Sequence, residues 1–212
     1  RFYSCPLCSP TRSALMTGRY PIRFGIQYTV VRPWSNYGLP LEEHTIAESF
    51  RAAGYETAIA GKWHLGHIDR RYFPGSRGFD HSYVHFNGAI DYRTHAREGG
   101  LDWHRNGKTS DEPGYSTDLI GAEAVARIEK RNREKPLFLY VPFNAPHAPL
   151  QAPQALVDKY AAIADSKRRT FAAMVDAMDT QVGRILDALE RQRMTGDTIV
   201  LFLSDNGGPT GS

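Results

Sequence analysis

Short, uninterrupted apolar runs alternate along this chain with segments of helical periodicity, which restricts the folds available to it. The pattern predicts strands at Tyr55–Ala60, Leu137–Val141 and Thr198–Leu203. The last two contain no polar interruption, which is typical of strands buried on both faces. The sequence therefore predicts an α/β fold with a mostly parallel central sheet and helices on both of its faces.

Helices are predicted where apolar side chains recur every three or four residues. The longest such segment runs from Ser166 to about Arg193. Another opens at the capping-box pattern Thr45-Ile46-Ala47-Glu48 and ends before Gly54. Two more helices are predicted at Thr11–Thr17 and Thr117–Asn132.

The composition excludes several classes of protein. The 212 residues suit one ordinary domain, and no run approaches the ~18–20 apolar residues that span a bilayer. Two Cys cannot build a disulfide scaffold. The net charge of +3 is too small to indicate nucleic-acid binding, although it allows a local basic pocket for a small anion. Eight His without an H-E-x-x-H or paired-Cys pattern do not indicate zinc.

Polar residues that could bind a ligand or take part in catalysis follow each of the three predicted strands. Because parallel strands end at the same edge of a sheet, one site is expected there. Taken alone, each residue also has a simpler interpretation as a surface, loop or turn residue. The pairs are Lys62 and His64, Asn144 and His147, and Asp205 and Asn206.

A cysteine and an arginine mark a candidate anion site near the start of the chain. Cys8 lies just before a predicted helix, whose free N–H groups and dipole favour an anion. Arg12, one turn on, can give an oxyanion a bidentate contact. The alternatives are a buried structural Cys beside a surface Arg, and a redox pair formed with Cys5.

The residues around Cys8 resemble a known signature. Cys8-Ser9-Pro10-Thr11-Arg12, followed by Leu15 and Thr17-Gly18-Arg19, is similar to the motif of the type I sulfatases, formylglycine-dependent arylsulfatases of the alkaline phosphatase superfamily. Gly61-Lys62-Trp63-His64-Leu65-Gly66 resembles the second signature of that family. The resemblance implies that Cys8 is oxidised to formylglycine, whose hydrate attacks sulfur and forms a covalent sulfoenzyme. Cys5 does not fit, because Leu7 stands where the motif needs Pro.

The resemblance also implies roles for four other side chains. Arg12, Lys62 and His147 would bind the sulfate, and His147 would protonate the leaving alcohol. His64 would hold one hydroxyl of the formylglycine hydrate and assist its deprotonation. An imidazole suits the role implied for His64, since its unperturbed pKa lies near neutrality.

A metal site is implied as well. Asp205 and Asn206, together with position 8, would ligate Ca²⁺, or Mg²⁺ as the alternative, and oxygen donors suit such hard cations. The family adds an Asp-Asp pair before the Cys signature and a Lys after the Asp-Asn pair, and this chain contains neither. We therefore expect residues 1–212 to be the central part of the N-terminal catalytic domain, without its C-terminal subdomain and inactive by itself.

Residues 66–115 are rich in Gly, His, Tyr and Arg and are predicted to form long functional loops. Within them, Gly78–His81 and Asn87–Tyr92 resemble sulfatases of the N-acetylgalactosamine-4-sulfatase type, whose loops border the substrate pocket. The predicted substrate-binding residues in this stretch are Asp91, Tyr92 and His95, with His104 as a further candidate.

The predicted function is hydrolysis of a small-molecule or carbohydrate sulfate monoester, after Cys8 is converted by a formylglycine-generating or other maturation enzyme. Two alternatives remain: a phosphonate or phosphate ester hydrolase of the same superfamily, and a non-catalytic binder of sulfated glycans. No membrane span and no nucleic-acid partner are expected. The full-length protein is expected to be periplasmic, secreted or lysosomal.

Overall fold

A computed structural model describes residues 3–208, and its centre is a five-stranded mixed sheet. The strands are β1 (Glu56–Lys62), β2 (His81–His85), β3 (Ala96–Arg97), β4 (Gly100–Leu101), β5 (His104–Arg105), β6 (Lys108–Thr109) and β7 (Leu137–Tyr140). β3 and β4 form a separate hairpin, and the other five follow the order β6-β5-β2-β1-β7. β1 is parallel to both β2 and β7, whereas β5 and β6 are antiparallel.

Five α-helices accompany the sheet, and helices cover both of its faces. They are α1 (Cys8–Thr17), α2 (Ile46–Ala52), α3 (Ser116–Lys130), α4 (Gln154–Lys159) and α5 (Ser166–Arg191), with single 3₁₀ turns at Pro21–Arg23, Arg70–Tyr72, Pro74–Arg77 and Thr195–Asp197. Adjacent strand residues point to opposite faces. Ile59 therefore packs with Met16 of α1 and Ala47 of α2, while Ala60 packs with Ile120 of α3. The predicted α/β class is confirmed.

Local signals position the helix ends as predicted. The capping box is complete, because the Thr45 hydroxyl accepts from the Glu48 N–H and the Glu48 carboxylate accepts from the Thr45 N–H. Gly18 ends α1 in the left-handed conformation, and its N–H donates to the Ala14 carbonyl. The largest difference is at α1, which begins at Cys8 and not at Thr11, so the cysteine is the first helical residue and does not precede the helix.

The interpretation of residues 66–115 as loops is wrong in part. His81–His85 forms β2, a buried central strand, and short hairpin strands occupy parts of 96–109. The sequence His-Ser-Tyr-Val-His conceals this strand, because its Ser and His side chains are polar although Ser82 and His85 are buried.

The predicted buried strand at Thr198–Leu203 is also wrong. Within residues 3–208 this segment pairs with no strand, and its apolar side chains face solvent, with Ile199 88% and Phe202 75% exposed. An apolar run shows a preference for burial but does not supply the neighbour that would cover it. The final residues of the chain, 209–212, lie outside the described part. Among the described helices, none has the length and apolarity needed to cross a membrane.

Candidate active site

Four segments of the chain meet at the carboxyl edge of the sheet. Cys8 opens α1, Lys62 is the last residue of β1, His147 lies on the loop after β7, and Asp205 follows the exposed segment near the end of the described chain. The end of β1 is held by the Lys62 N–H, which donates to the Pro142 carbonyl at 2.7 Å. The predicted convergence at one sheet edge therefore matches the observed positions.

The Cys8 thiol is the common point of these contacts. Lys62 Nζ donates to Cys8 Sγ at 3.1 Å, and Sγ lies 3.3 Å from Asn206 Oδ1, to which the protonated thiol donates. Burial raises the pKa of the thiol, but His147 and the Lys62 charge outweigh that effect and lower its pKa to about 7. Lys62 and His147 therefore favour the anionic form of a group at position 8.

Lys62 is 2% exposed, and its surroundings disfavour its charge. Burial, and then the Arg12 charge, lower the pKa of the ammonium to about 8, while Cys8 and Asp205 act in the opposite direction. A buried cation of this kind gains stability when a further negative charge comes next to it.

Arg12 is buried, and its guanidinium group donates hydrogen bonds to other groups of the protein. Its Nε and Nη2 lie 3.1 and 2.8 Å from Asp205 Oδ2, and its Nη1 donates to the Lys62 carbonyl at 2.8 Å. The Tyr140 hydroxyl accepts from the same Nη1 at 3.5 Å. The structure therefore shows Arg12 paired with Asp205, where the sequence predicted a bidentate contact to the substrate oxyanion.

The candidate metal ligands fit a hard cation in type but form an incomplete set. Asp205 and Asn206 bring carboxylate and amide oxygens beside Cys8, as Ca²⁺ requires. Although burial raises the pKa of Asp205, the charges of Arg12 and Lys62 hold it below the usual range. Across residues 3–208, no three His, Cys, Asp or Glu side chains cluster as a metal site.

His64 is buried beneath the site in a single tautomer. Its Nε2 lies 2.9 Å from the Val31 carbonyl and must therefore carry the proton, which leaves Nδ1 as an acceptor. Nδ1 is buried and has no partner within the described residues. Burial and the charges of Lys62 and Arg12 hold the pKa of the ring well below 6.5, so it is neutral at physiological pH.

His147 is the exposed member of the group. Its Nδ1 lies 2.8 Å from the Ala148 carbonyl, so Nδ1 carries a proton and Nε2 is the free nitrogen. The imidazole lies close enough to the Cys8 thiol to lower its pKa. From this position His147 can exchange a proton with a group bound next to position 8.

Three of the residues predicted to bind substrate, Asp91, Tyr92 and His95, make hydrogen bonds within the protein. Tyr92 and His95 are each 1% exposed, and their polar atoms are used within the protein. The Tyr92 hydroxyl donates to the loop that carries His147, and His95 contacts the Gly114 carbonyl while stacking on Trp103. Asp91 accepts from Gln151 and from two backbone N–H groups of its own turn.

The fourth of these candidates, His104, is also engaged with the protein. Its Nε2 lies 3.2 Å from the buried carboxylate of Asp102. Asp102 in turn accepts from the N–H groups of Phe86 and Asn87, just past the end of β2. These contacts order the loops next to the site.

Sequence reasoning missed two supporting residues. The Ser9 hydroxyl donates to the His64 carbonyl at 2.8 Å and accepts from the Val31 N–H at 3.0 Å, so it joins α1 to the segment after β1 that carries His64. His85 is fully buried and pairs in register with Lys62. Burial lowers the pKa of His85 to about 3. Ser9 could have been found, since it lies inside the signature, whereas His85 required knowledge of β2.

Both cysteines are free thiols within the described residues, so no Cys5–Cys8 disulfide accompanies this arrangement. Cys5 is half-buried, and only its carbonyl is engaged, by the Thr11 hydroxyl. Cys8 alone has the surroundings of a reactive group.

The chain is similar to known sulfatases over nearly its whole length. Arylsulfatase J of Mus musculus is 35% identical over 215 residues, which cover 98% of this chain and 36% of the relative. N-acetylgalactosamine-6-sulfatase of Homo sapiens is 34% identical, over 97% of this chain and 42% of the relative. The chain thus spans well under half the length of these curated relatives.

A solved structure shares the fold. Ps i-CgsB in complex with k-i-k-neocarrahexaose superposes with a TM-score of 0.84 at 33% identity, covering 90% of this chain and 46% of the other. The family model described as Sulfatase matches residues 1–212. Together with the residues that meet at Cys8, these matches establish that the chain belongs to the Sulfatase family.

Proposed function

We propose that this site hydrolyses sulfate monoesters of carbohydrates, with formylglycine formed from Cys8 as its nucleophile. The observation that carries the proposal is the surroundings of Cys8, with Lys62 Nζ 3.1 Å from Sγ at the first residue of a helix. A helix N-terminus and a buried ammonium together favour a bound oxyanion. The names of the relatives, and the oligosaccharide in the Ps i-CgsB complex, support a carbohydrate sulfate as the substrate class.

Two groups absent from the structure belong to this proposal. Formylglycine, made by a maturation enzyme, would supply at position 8 a hydrated aldehyde that accepts the sulfuryl group. Asp205 and Asn206 would hold Ca²⁺, or Mg²⁺, which would screen the charge of the sulfate. Because the described residues supply only these two oxygen ligands beside Cys8, we infer that further ligands come from a longer catalytic domain of which residues 1–212 are the central part.

The two cationic side chains near position 8 have different roles in this proposal. Lys62 binds a sulfate oxygen and so offsets the cost of its own burial. Arg12 adds positive charge and orients Asp205 through two contacts to Oδ2. Such fixed charges stabilise the transition state, because they need no reorganisation as charge shifts during the reaction.

The two histidines take part in different proton transfers at position 8. His147, exposed to the incoming ester, protonates the departing alcohol oxygen. His64, neutral and with a free Nδ1 acceptor, takes the hydroxyl proton when sulfate is released. Its tautomer is fixed by the Val31 carbonyl, so the acceptor nitrogen needs no rearrangement.

The test compares the purified full-length protein, co-expressed with a maturation enzyme, on an aryl sulfate, an aryl phosphonate and an aryl phosphate. We expect turnover of the sulfate, and loss of that turnover in Cys8→Ala but not in Cys5→Ala. Preference for the phosphonate or phosphate would instead identify another hydrolase of the superfamily. Binding of a sulfated oligosaccharide without turnover would identify a non-catalytic relative.

A further inference from the structure

A buried tyrosine, Tyr92, donates hydrogen bonds to the loop that carries His147. The Tyr92 hydroxyl donates to the His147 carbonyl at 2.8 Å and lies 3.1 Å from the Asn144 carbonyl. We propose that Tyr92 is a positioning residue for His147, which it keeps beside position 8 by holding both ends of the Asn144–His147 turn. This inference rests on the proposed function, because it assumes that His147 protonates the leaving group.

Besides Tyr92, the histidine has a hydrogen bond from its own Nδ1 to the adjacent Ala148 carbonyl at 2.8 Å, which turns with the loop. His147 and its neighbours Ala148 and Pro149 are exposed, so packing does not hold the imidazole in place. Within the turn, the His147 N–H donates to the Asn144 carbonyl at 2.9 Å. The carbonyls at the two ends of this short turn both accept from the Tyr92 hydroxyl, so Tyr92 fixes the position of both ends.

Tyr92, in contrast, is fixed from several directions. Its ring is 1% exposed and stacks on Tyr115 with centroids 5.4 Å apart. Its N–H donates to Gln151 Oε1 at 2.8 Å, and its carbonyl accepts from the N–H of Ser116 at the start of α3. Because Tyr92 is fixed in this way, its hydroxyl can hold the exposed loop that carries His147 in one position.

The chemistry of the hydroxyl suits this role and not substrate binding. Its contacts within hydrogen-bond distance are protein carbonyls, and its ring is buried. Burial raises the pKa of Tyr92, so the hydroxyl stays protonated and keeps donating throughout the working pH range. A neighbour offers a control, because the Tyr115 hydroxyl donates to the Gln151 carbonyl at 2.9 Å, further along the same loop.

The test is the dependence of the rate on the leaving group in the full-length, matured enzyme. Tyr92→Phe keeps the ring and removes the donor. A displaced acid matters most when the leaving group needs a proton, so kcat/KM should fall about 10–100-fold for phenyl sulfate. For 4-nitrophenyl sulfate, whose leaving group needs little protonation, it should stay within about twofold.

Three reference variants make the result decisive. His147→Ala should show the same selective loss to a larger extent, and Tyr115→Phe should leave the ratio of the two substrates unchanged. An equal loss on both substrates in Tyr92→Phe would overturn the proposal and indicate a merely structural role. If Cys8→Ala retains turnover, the proposed function has failed; if only the Tyr92→Phe ratio is normal, the positioning role alone has failed.

Folding is checked separately by thermal unfolding of each variant. If Tyr92→Phe does not fold, 4-aminophenylalanine in place of Tyr92 restores a donor at the same ring position. This variant should keep the wild-type ratio of phenyl to 4-nitrophenyl sulfate rates, whereas 4-methoxyphenylalanine, which lacks a donor, should lower it. The same ratio in both replacements would contradict the proposal.

Discussion

Replacing Gly88 by Ala should displace His64 without touching any group that binds the sulfate. A Cβ at Gly88 would lie 2.3 Å from Cε1 and 2.7 Å from Nε2 of the His64 ring. Ordinary contact needs about 3.5 Å, so the ring must move by about 1.2 Å. The ring is buried and its Nε2 is bonded to Val31, so this movement also strains or breaks a hydrogen bond worth about 1 kcal/mol.

The expected effect is large in turnover and moderate in stability. A misplacement of about 1 Å in a catalytic group can lower the rate about 100-fold. The added methyl should cost about 1–3 kcal/mol of unfolding free energy, which is the usual range for overpacking. Gly100→Ala is the matched control, because the nearest atom to a Cβ there is the Arg97 carbonyl oxygen at 4.0 Å.

The assay is stopped-flow hydrolysis of an aryl sulfate by variants with equal formylglycine content. If His64 acts when sulfate is released, Gly88→Ala should still release phenol rapidly in the first turnover and then turn over slowly. Steady-state kcat in Gly88→Ala within about twofold of both wild type and Gly100→Ala would refute the assignment of His64. A loss confined to the first turnover would place His64 in the wrong step.

The remaining predictions concern charge. Glu123→Gln should lose about 1.5–3 kcal/mol of stability at neutral pH. Burial raises the pKa of Glu123, but a hydrogen bond from His81 and the ion pair with Arg105 lower it to about 2. Since that folded pKa lies below the ordinary value, the contribution is complete above about pH 4.5 and lost as the pH falls toward 2, so denaturation curves of wild type and variant should converge in acid. In unmodified protein, the thiolate absorbance of Cys8 should rise as the pH increases through about 7, and Lys62→Met should move that rise to higher pH. An unchanged midpoint in Lys62→Met would contradict the Lys62–Cys8 contact, and equal acid sensitivity of Glu123→Gln and wild type would contradict the ion pairs.

The site was easier to predict than the elements that carry it. Cys8 and Lys62 belong to compact local patterns, and the resemblance of those patterns to the sulfatase signatures implied that both residues meet at the sulfate. Their 3.1 Å contact agrees with that prediction, although β2, the neighbour of β1, was missed. Side-chain burial in β2 depends on what packs against it, and a strand with His at both ends carries no apolar alternation.

At two places the burial of a side chain could not be predicted from its residue type. The residues Thr198–Leu203 are apolar but uncovered in the described chain, and Tyr92 is polar but buried. In both cases burial is decided by tertiary neighbours and not by the type of residue. Arg12 is a similar case: its place in the signature predicted that it lies at the site, but not that it forms an ion pair with Asp205.

The central claim is that Cys8 becomes the nucleophile of a sulfate ester hydrolase, and the mass of the Cys8 peptide tests it most directly. The full-length protein is produced with and without a maturation enzyme, and peptide mass and aryl sulfate turnover are measured on the same samples. The account predicts that active samples contain a Cys8 peptide that has lost one sulfur and two hydrogens and gained one oxygen, with turnover proportional to that fraction. Full turnover by protein whose Cys8 peptide keeps its sulfur would contradict it.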